Sequence, residues 1–182
     1  MSREIEMKFR IDNKNTFIDK LNSLGVVLSD YKNQHDKIYM LEGKSFEDLE
    51  KGECIIRIRI EENRQTTTIK KYIDGIKDRQ EVECGITDVD LFEEYLKLLN
   101  FELLVEVIKK RAVGQYLGVN ITVDSVSNLG DFSEIEIISN DDNVEKAKER
   151  VEEIALRLGF DASNQVKMPY DKMIYERRYN ND

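Results

Sequence analysis

Charged residues recur at every second position through much of this 182-residue chain, and their spacing is what could do chemistry. In "EIEMKFR", Glu4, Glu6, Lys8 and Arg10 alternate with Ile5, Met7 and Phe9. Further on come Arg57, Arg59 and Glu61, then Lys70 in phase with Thr66 and Thr68, then Arg79, Glu81 and Glu83. Lys109 and Arg111 follow, then Asp124 in phase with Thr122, and finally Glu134 and Glu136. A period of two puts each set on one face of an extended strand. Like charges two residues apart lie only about 7 Å from each other, so Arg-x-Arg, Lys-x-Arg and Glu-x-Glu pairs ask for water, a counter-ion or a ligand. Guanidinium and ammonium groups in such pairs suit the non-bridging oxygens of an oligophosphate. Paired carboxylates suit Mg²⁺ or Mn²⁺, hard cations that bridge protein to phosphate. A solvated sheet face is the ordinary reading of any one of these strands, and taken singly each is satisfied by it.

The elements that must carry these residues are mostly strands. "CIIRIRIEE", "TTTIKKY", "RQEVECGI", "LVEVIKKR", "VNITVDSV" and "FSEIEII" alternate like the opening segment and are rich in Ile, Val and Thr. Three stretches have helical spacing. "NTFIDKLNSLG" places Phe17, Leu21 and Leu24 on one side and ends at Gly25. "DVDLFEEYLKLLN" has Asp88 as N-cap and Leu91, Tyr95, Leu98 and Leu99 as its apolar stripe. The longest aligns Val144, Ala147, Val151, Ile154, Ala155 and Leu158 and stops at Gly159. Three helices are too few for the crossovers of a parallel sheet, so the class is α+β with an antiparallel sheet.

Composition bounds the rest. Hydrophobic residues make up 40% of the chain, enough for one sizeable core, and a single proline, Pro169, with no linker-like stretch makes residues 1–182 one domain. Twenty-eight Lys and Arg against 37 Asp and Glu leave a net charge of -9, which opposes nucleic acid and anionic lipid as partners. The charged opening and the lack of a long apolar run point to a cytoplasmic chain that neither carries a signal peptide nor spans a membrane. Cys54 and Cys84 lie in phase with apolar strand residues and read as reduced core thiols. His35, the one histidine, has no second His or Cys nearby and is given no role. Oligomeric state is not legible, and a homodimer stays open.

With these residues in view, the chain resembles the CYTH domains, also called triphosphate tunnel metalloenzymes. "EIEMK" matches their E-x-E-x-K signature; "QHDKIY", "IRIR", "TIK" and "RQEVE" are similar to the strands that follow it. "KKR", "ITVDSVSNLGDFSEIEI" and a helix ending "LRLGF" complete the order. The resemblance implies a closed antiparallel β-barrel of about eight strands, the tunnel, with helices packed outside. It implies that Glu4, Glu6, Asp124, Glu134 and Glu136 serve a divalent metal, Mg²⁺ or Mn²⁺, and that Lys8, Arg57, Arg59, Lys70, Lys109 and Arg111 hold the triphosphate. Lys8 and Glu136 take the catalytic positions, and Arg79, Glu81 and Glu83 are tunnel residues without an assigned role. Lys70 is preferred to Lys71 and Lys109 to Lys110 because each shares a face with its charged or Thr neighbour. The chain departs from the pattern at Tyr72, where a turn residue is expected, and at Lys172 in "MPYDKMI".

Within the family the chain is most similar to the class IV adenylyl cyclase group. That likeness implies attack of the ribose 3′-oxygen of ATP on the α-phosphorus, releasing cyclic AMP and pyrophosphate. The same cradle shifted by one phosphate, with water as nucleophile, implies a triphosphatase acting on tripolyphosphate, thiamine triphosphate or a nucleotide. A third reading keeps the ligand and drops the chemistry, leaving a nucleotide or polyphosphate sensor.

Overall fold

A computed structural model describes residues 2–74, 78–140 and 143–179. They form eight antiparallel strands in the hydrogen-bonded order β1-β8-β7-β6-β2-β3-β4-β5, with four α-helices. The strands are β1 (Ser2–Arg10), β2 (Lys32–Leu41), β3 (Cys54–Ile60), β4 (Gln65–Asp74), β5 (Asp78–Gly85), β6 (Phe101–Tyr116), β7 (Val119–Val126) and β8 (Gly130–Asn140). The helices are α1 (Lys14–Ser23), α2 (Val89–Leu98), α3 (Val144–Arg157) and α4 (Tyr170–Tyr179). The chain divides into two compact units, Met1–Lys32 with Lys109–Pro169 and Asn33–Ile108 with Tyr170–Asp182, so that β6 runs through both.

In the first unit β1, β8, β7 and the end of β6 form neighbouring ladders, and each strand has an apolar and an ionic side. The apolar side carries Met7, Phe9, Ile11, Val119, Ile121, Val123 and Ile135, and it packs against Phe17 and Leu21 of α1 and Val151, Ile154 and Ala155 of α3. Both helices start where the sequence offers a cap or a charge. Asn13 accepts the Thr16 amide at 3.0 Å ahead of α1, and Glu145 sits in the first turn of α3. Gly159, at φ +85°, ends α3 in the left-handed region that favours glycine. Gly114 of β6 is needed for a different reason. A Cβ there would stand 2.7 Å from Val26 Cγ1, so the chain after α1 crosses the strand only because the side chain is missing.

In the second unit α2 covers one side of β2 and β3 through Leu96, with Val89 and Phe92, against Tyr39, Ile56 and Ile58. Asp88 caps this helix as expected, accepting the Leu91 amide at 2.9 Å. The buried face, however, is not the expected stripe. Leu91, Tyr95, Leu98 and Leu99 are all exposed, Leu98 at 80%. The helix is apolar around most of its circumference, and spacing alone marks two faces.

Two more expectations are corrected. Cys54 is half-buried and Cys84 exposed, so neither is a core thiol, although both are free as expected. Their strand face is apolar by parity, but α2 covers only part of it, and Ile69 and Val82 are exposed there as well. Tyr72 does not mark a turn. It is buried at 5% within β4 and stands opposite Arg79. A fourth helix, α4, follows Pro169 and was not expected from spacing. Among the described residues no helix is long and apolar enough to cross a membrane.

Candidate active site

The ionic side of the first unit is built by register. β1 and β8 pair so that Glu6 stands opposite Glu136 and Lys8 opposite Glu134. The Lys8 carbonyl is engaged by the Val166 amide and the Glu134 amide by the Thr122 hydroxyl, so Lys8 and Glu134 exchange no backbone bonds. This is the non-hydrogen-bonded kind of antiparallel pair, in which Cα atoms approach to about 4.5 Å; Glu6 and Glu136, two residues along, share it. Carboxylate oxygens of Glu6, Glu134 and Glu136 lie within 4.8 Å of one another.

Cations surround that group. The Lys8 ammonium is 3.2 Å from Glu134 Oε1. Arg111, opposite Asp124 in the β6–β7 ladder, donates from Nε and Nη2 to both Asp124 oxygens at 2.7 and 2.5 Å, and also from Nη2 to Glu134. Lys8, Lys109, Asp124 and Glu134 are all at most 6% exposed, so this charged face is not bathed in water. Burial alone would disfavour the Glu134 carboxylate. Arg111, Lys8 and Lys109 outweigh it and hold the group at a pKa of about 2. It is ionised across the physiological range and available as a ligand.

Three mutually close carboxylates are an all-oxygen donor set, the kind a hard divalent cation prefers. The residues present therefore fit a divalent metal, and Glu6, Glu134 and Glu136 are the ones that would hold it.

The second unit carries its own ionic face across β2, β3, β4 and β5. Asp36 stands opposite Arg59 and accepts its Nε and Nη2 at 2.7 and 2.8 Å. Arg57 donates to Thr68 Oγ1 at 2.9 Å and lies 3.6 Å from Glu83, to which Thr68 in turn donates at 3.1 Å. Lys70 is 3.4 Å from Glu81. Burial, and then the neighbouring Arg59, push the Arg57 guanidinium below its ordinary pKa. Its Nε is buried without a hydrogen-bond partner. An orphaned donor of this kind costs about 1–3 kcal/mol, which an entering anion would relieve.

The structure thus gathers Glu6, Lys8, Lys109, Arg111, Asp124, Glu134 and Glu136 on one face, and Arg57, Arg59, Lys70, Glu81 and Glu83 on another. Asp124 faces Arg111 rather than joining the three-carboxylate group. Lys109 is buried where Lys110 is exposed, and Lys70 is less exposed than Lys71. The side chains of Glu4 and Arg79 lie outside the described residues. The sequence reading gives no site role to Asp36, to Thr68, which it uses only to set the phase of Lys70, or to Asn120, whose amide donates to Glu136 at 3.4 Å. "QHDKIY" displays Asp36, but only the strand register shows which arginine it holds.

Comparison with known proteins matches the chain along nearly its whole length. The CYTH domain family model matches residues 2–170. A Methanocaldococcus jannaschii protein provisionally named an adenylate cyclase is 29% identical over 170 residues, covering 92% of this chain and 95% of its own. A solved structure of a conserved hypothetical protein from Pyrococcus furiosus has a TM-score of 0.77 at 29% identity, covering 93% of this chain and 99% of that one. A Hippeastrum protein described as an adenylyl cyclase candidate with a dominant triphosphatase activity shares the fold at a TM-score of 0.68 and 17% identity, covering 97% of this chain and 96% of that one. With the family model spanning nearly its whole length and the charged strands in the family's order, this chain belongs to the CYTH domain family.

Proposed function

We propose that this protein is a divalent-metal-dependent enzyme acting on a triphosphate, and that its reaction is the conversion of ATP to cyclic AMP and pyrophosphate. The observation that carries the reading is the grouping of Glu6, Glu134 and Glu136 beside the buried cations Lys8 and Lys109 and the half-buried Arg111 on one strand face. A structural ion network needs no third carboxylate placed against two others, and a plain phosphate-binding face needs none at all.

Glu6, Glu134 and Glu136 would hold Mg²⁺ or Mn²⁺, with Glu4 added from the family signature. When bound, such an ion supplies Lewis-acid activation of the attacking oxygen and neutralises phosphate charge. The protein's own side chains supply the rest. In the first unit Lys8, Lys109 and Arg111 supply donors for phosphate oxygens; in the second, Arg57 with its unmatched Nε is an anion-binding donor, with Arg59 and Lys70 on the same ionic face. Asp36 and Asp124 fix the guanidinium planes of Arg59 and Arg111, so these groups need little reorganisation when charge develops. Lys8, between Glu134 and the substrate, stabilises negative charge on the phosphorus under attack.

A second reading, hydrolysis of the terminal phosphate, uses the same side chains with water as nucleophile. The reported activity of the Hippeastrum protein of the same fold makes it the alternative to test. Purified protein is incubated with ATP, tripolyphosphate or thiamine triphosphate in Mg²⁺ or Mn²⁺, and the products are separated. Cyclic AMP and pyrophosphate from ATP support the cyclase; orthophosphate without cyclic AMP replaces it with the triphosphatase. No turnover of any of the three overturns the enzyme reading.

A further inference from the structure

After α3 the chain returns to β1, stacks Phe160 on Phe9 with ring centroids 4.5 Å apart, and then engages Lys8 from both ends of that residue. The Val166 amide donates to the Lys8 carbonyl at 2.8 Å, and the Lys8 ammonium donates to the Met168 carbonyl at 3.5 Å. The tripeptide 166–168 therefore brackets Lys8 on the side of β1 away from β8. We propose that residues 166–168 are a positioning strap for Lys8, holding its ammonium between the Met168 carbonyl and Glu134 so that it is presented to the substrate's phosphate. This inference rests on the triphosphate reading above.

The physical case follows from the nature of lysine. Its ammonium rides on a four-carbon stem, and ordering that stem costs rotamer entropy. One acceptor leaves the head free to swing. Two acceptors on different elements fix it, and here the second is supplied by backbone, which sits where the Val166–Lys8 bond puts it. The two acceptors also differ in kind. Glu134 is a full charge held ionised by three cations, whereas the Met168 carbonyl is a neutral dipole at the long end of hydrogen-bond distance. When a phosphate oxygen arrives, the weaker partner is the one exchanged, and Glu134 stays in place for the metal. Without the strap the ammonium would lose its backbone acceptor and be held less firmly in place.

Val166→Pro removes the donor that anchors the strap. Gln165 already has φ -60° and ψ 129°, the extended conformation that a residue before proline adopts, so the substitution introduces no strain there. Val166→Ala keeps the donor and is the control. Two measurements are made on the full chain. One is the rate of amine acylation at Lys8, read by peptide mass spectrometry on ligand-free protein. The other is a calorimetric titration with tripolyphosphate in the presence of a chelator.

For Val166→Pro the acylation rate at Lys8 should rise several-fold and tripolyphosphate should bind about tenfold more weakly, the size of one charge-assisted hydrogen bond; Val166→Ala should match the parent in both. A glycine inserted after Lys167 keeps the Val166 bond while displacing the Met168 carbonyl. It should reproduce the loss, and it decides the matter if the proline variant does not fold. Unchanged acylation in both variants overturns the strap. Raised acylation with unchanged affinity overturns its role in presenting Lys8. Failure of the parent protein to bind tripolyphosphate overturns the triphosphate reading and the role with it, and the acylation rates tell that failure from a strap that does not hold Lys8.

Discussion

Glu6 and Glu136 face each other directly across the β1–β8 ladder, in the kind of antiparallel pair that brings side chains closest. Like charges so placed repel and destabilise a sheet by a few tenths of a kcal/mol to about 1 kcal/mol. On the proposed reading the arrangement costs the metal-free protein stability that a bound cation would return. Glu6→Gln and Glu136→Gln should each abolish metal-dependent turnover while leaving the metal-free melting temperature equal to the parent's or a few degrees higher. Differential scanning calorimetry in a chelator checks this. A fall of several degrees would show that the pair supports the fold and not an ion.

Glu134 should behave in the opposite way, because it is surrounded by Lys8, Lys109 and Arg111. Its folded pKa of about 2 lies below the unfolded carboxylate value of about 4.3. The stabilisation it gives is therefore fully present above about pH 4.3 and is lost as pH falls toward 2. Glu134→Gln should lower stability at pH 7 and flatten the acid limb of the stability curve. Denaturant unfolding at several pH values reads both; parallel curves for the two proteins would contradict the assignment.

Arg57→Ala should weaken ATP, tripolyphosphate and thiamine triphosphate by similar factors, about tenfold to a hundredfold, because on the proposed reading the unmatched Nε would meet the part common to all three. Competition binding measures it. Selective loss of one ligand would mean that Arg57 contacts an organic group.

Leu96→Ala should cost about 2–5 kcal/mol, whereas Leu98→Ala should change stability by under about 0.5 kcal/mol, since one is 2% exposed and the other 80%. Chemical denaturation separates them at once. Equal costs would mean that α2 presents the face its spacing first suggests.

That helix shows where a sequence stops being informative. The period-two segments place Glu6, Lys8, Glu134 and Glu136 on one side and Met7, Phe9 and Ile135 on the other, and the structure keeps them there, because a one-residue slip would bury every charge among α1 and α3. The position and cap of α2 were legible from Asp88. Its buried face was not, since Val89, Phe92 and Leu96 compete with Leu91, Tyr95 and Leu98 for the same spacing. In α4, "YDKMIYERRY", charges interrupt the apolar residues and blur the period. The partners of Asp36 and Lys8 come from strand register and from a backbone segment more than 150 residues away in one case, neither of which any local pattern encodes. Which carboxylates meet was legible only through the family resemblance.

The most direct test sets the parent protein beside Glu136→Gln, each with ATP, tripolyphosphate and thiamine triphosphate in Mn²⁺, with cyclic AMP, pyrophosphate and orthophosphate all quantified. The parent should turn over ATP to cyclic AMP and pyrophosphate, a chelator should stop it, and Glu136→Gln should be inactive at every ligand concentration while still folded. Equal turnover by the two proteins, or turnover indifferent to the metal, would contradict this.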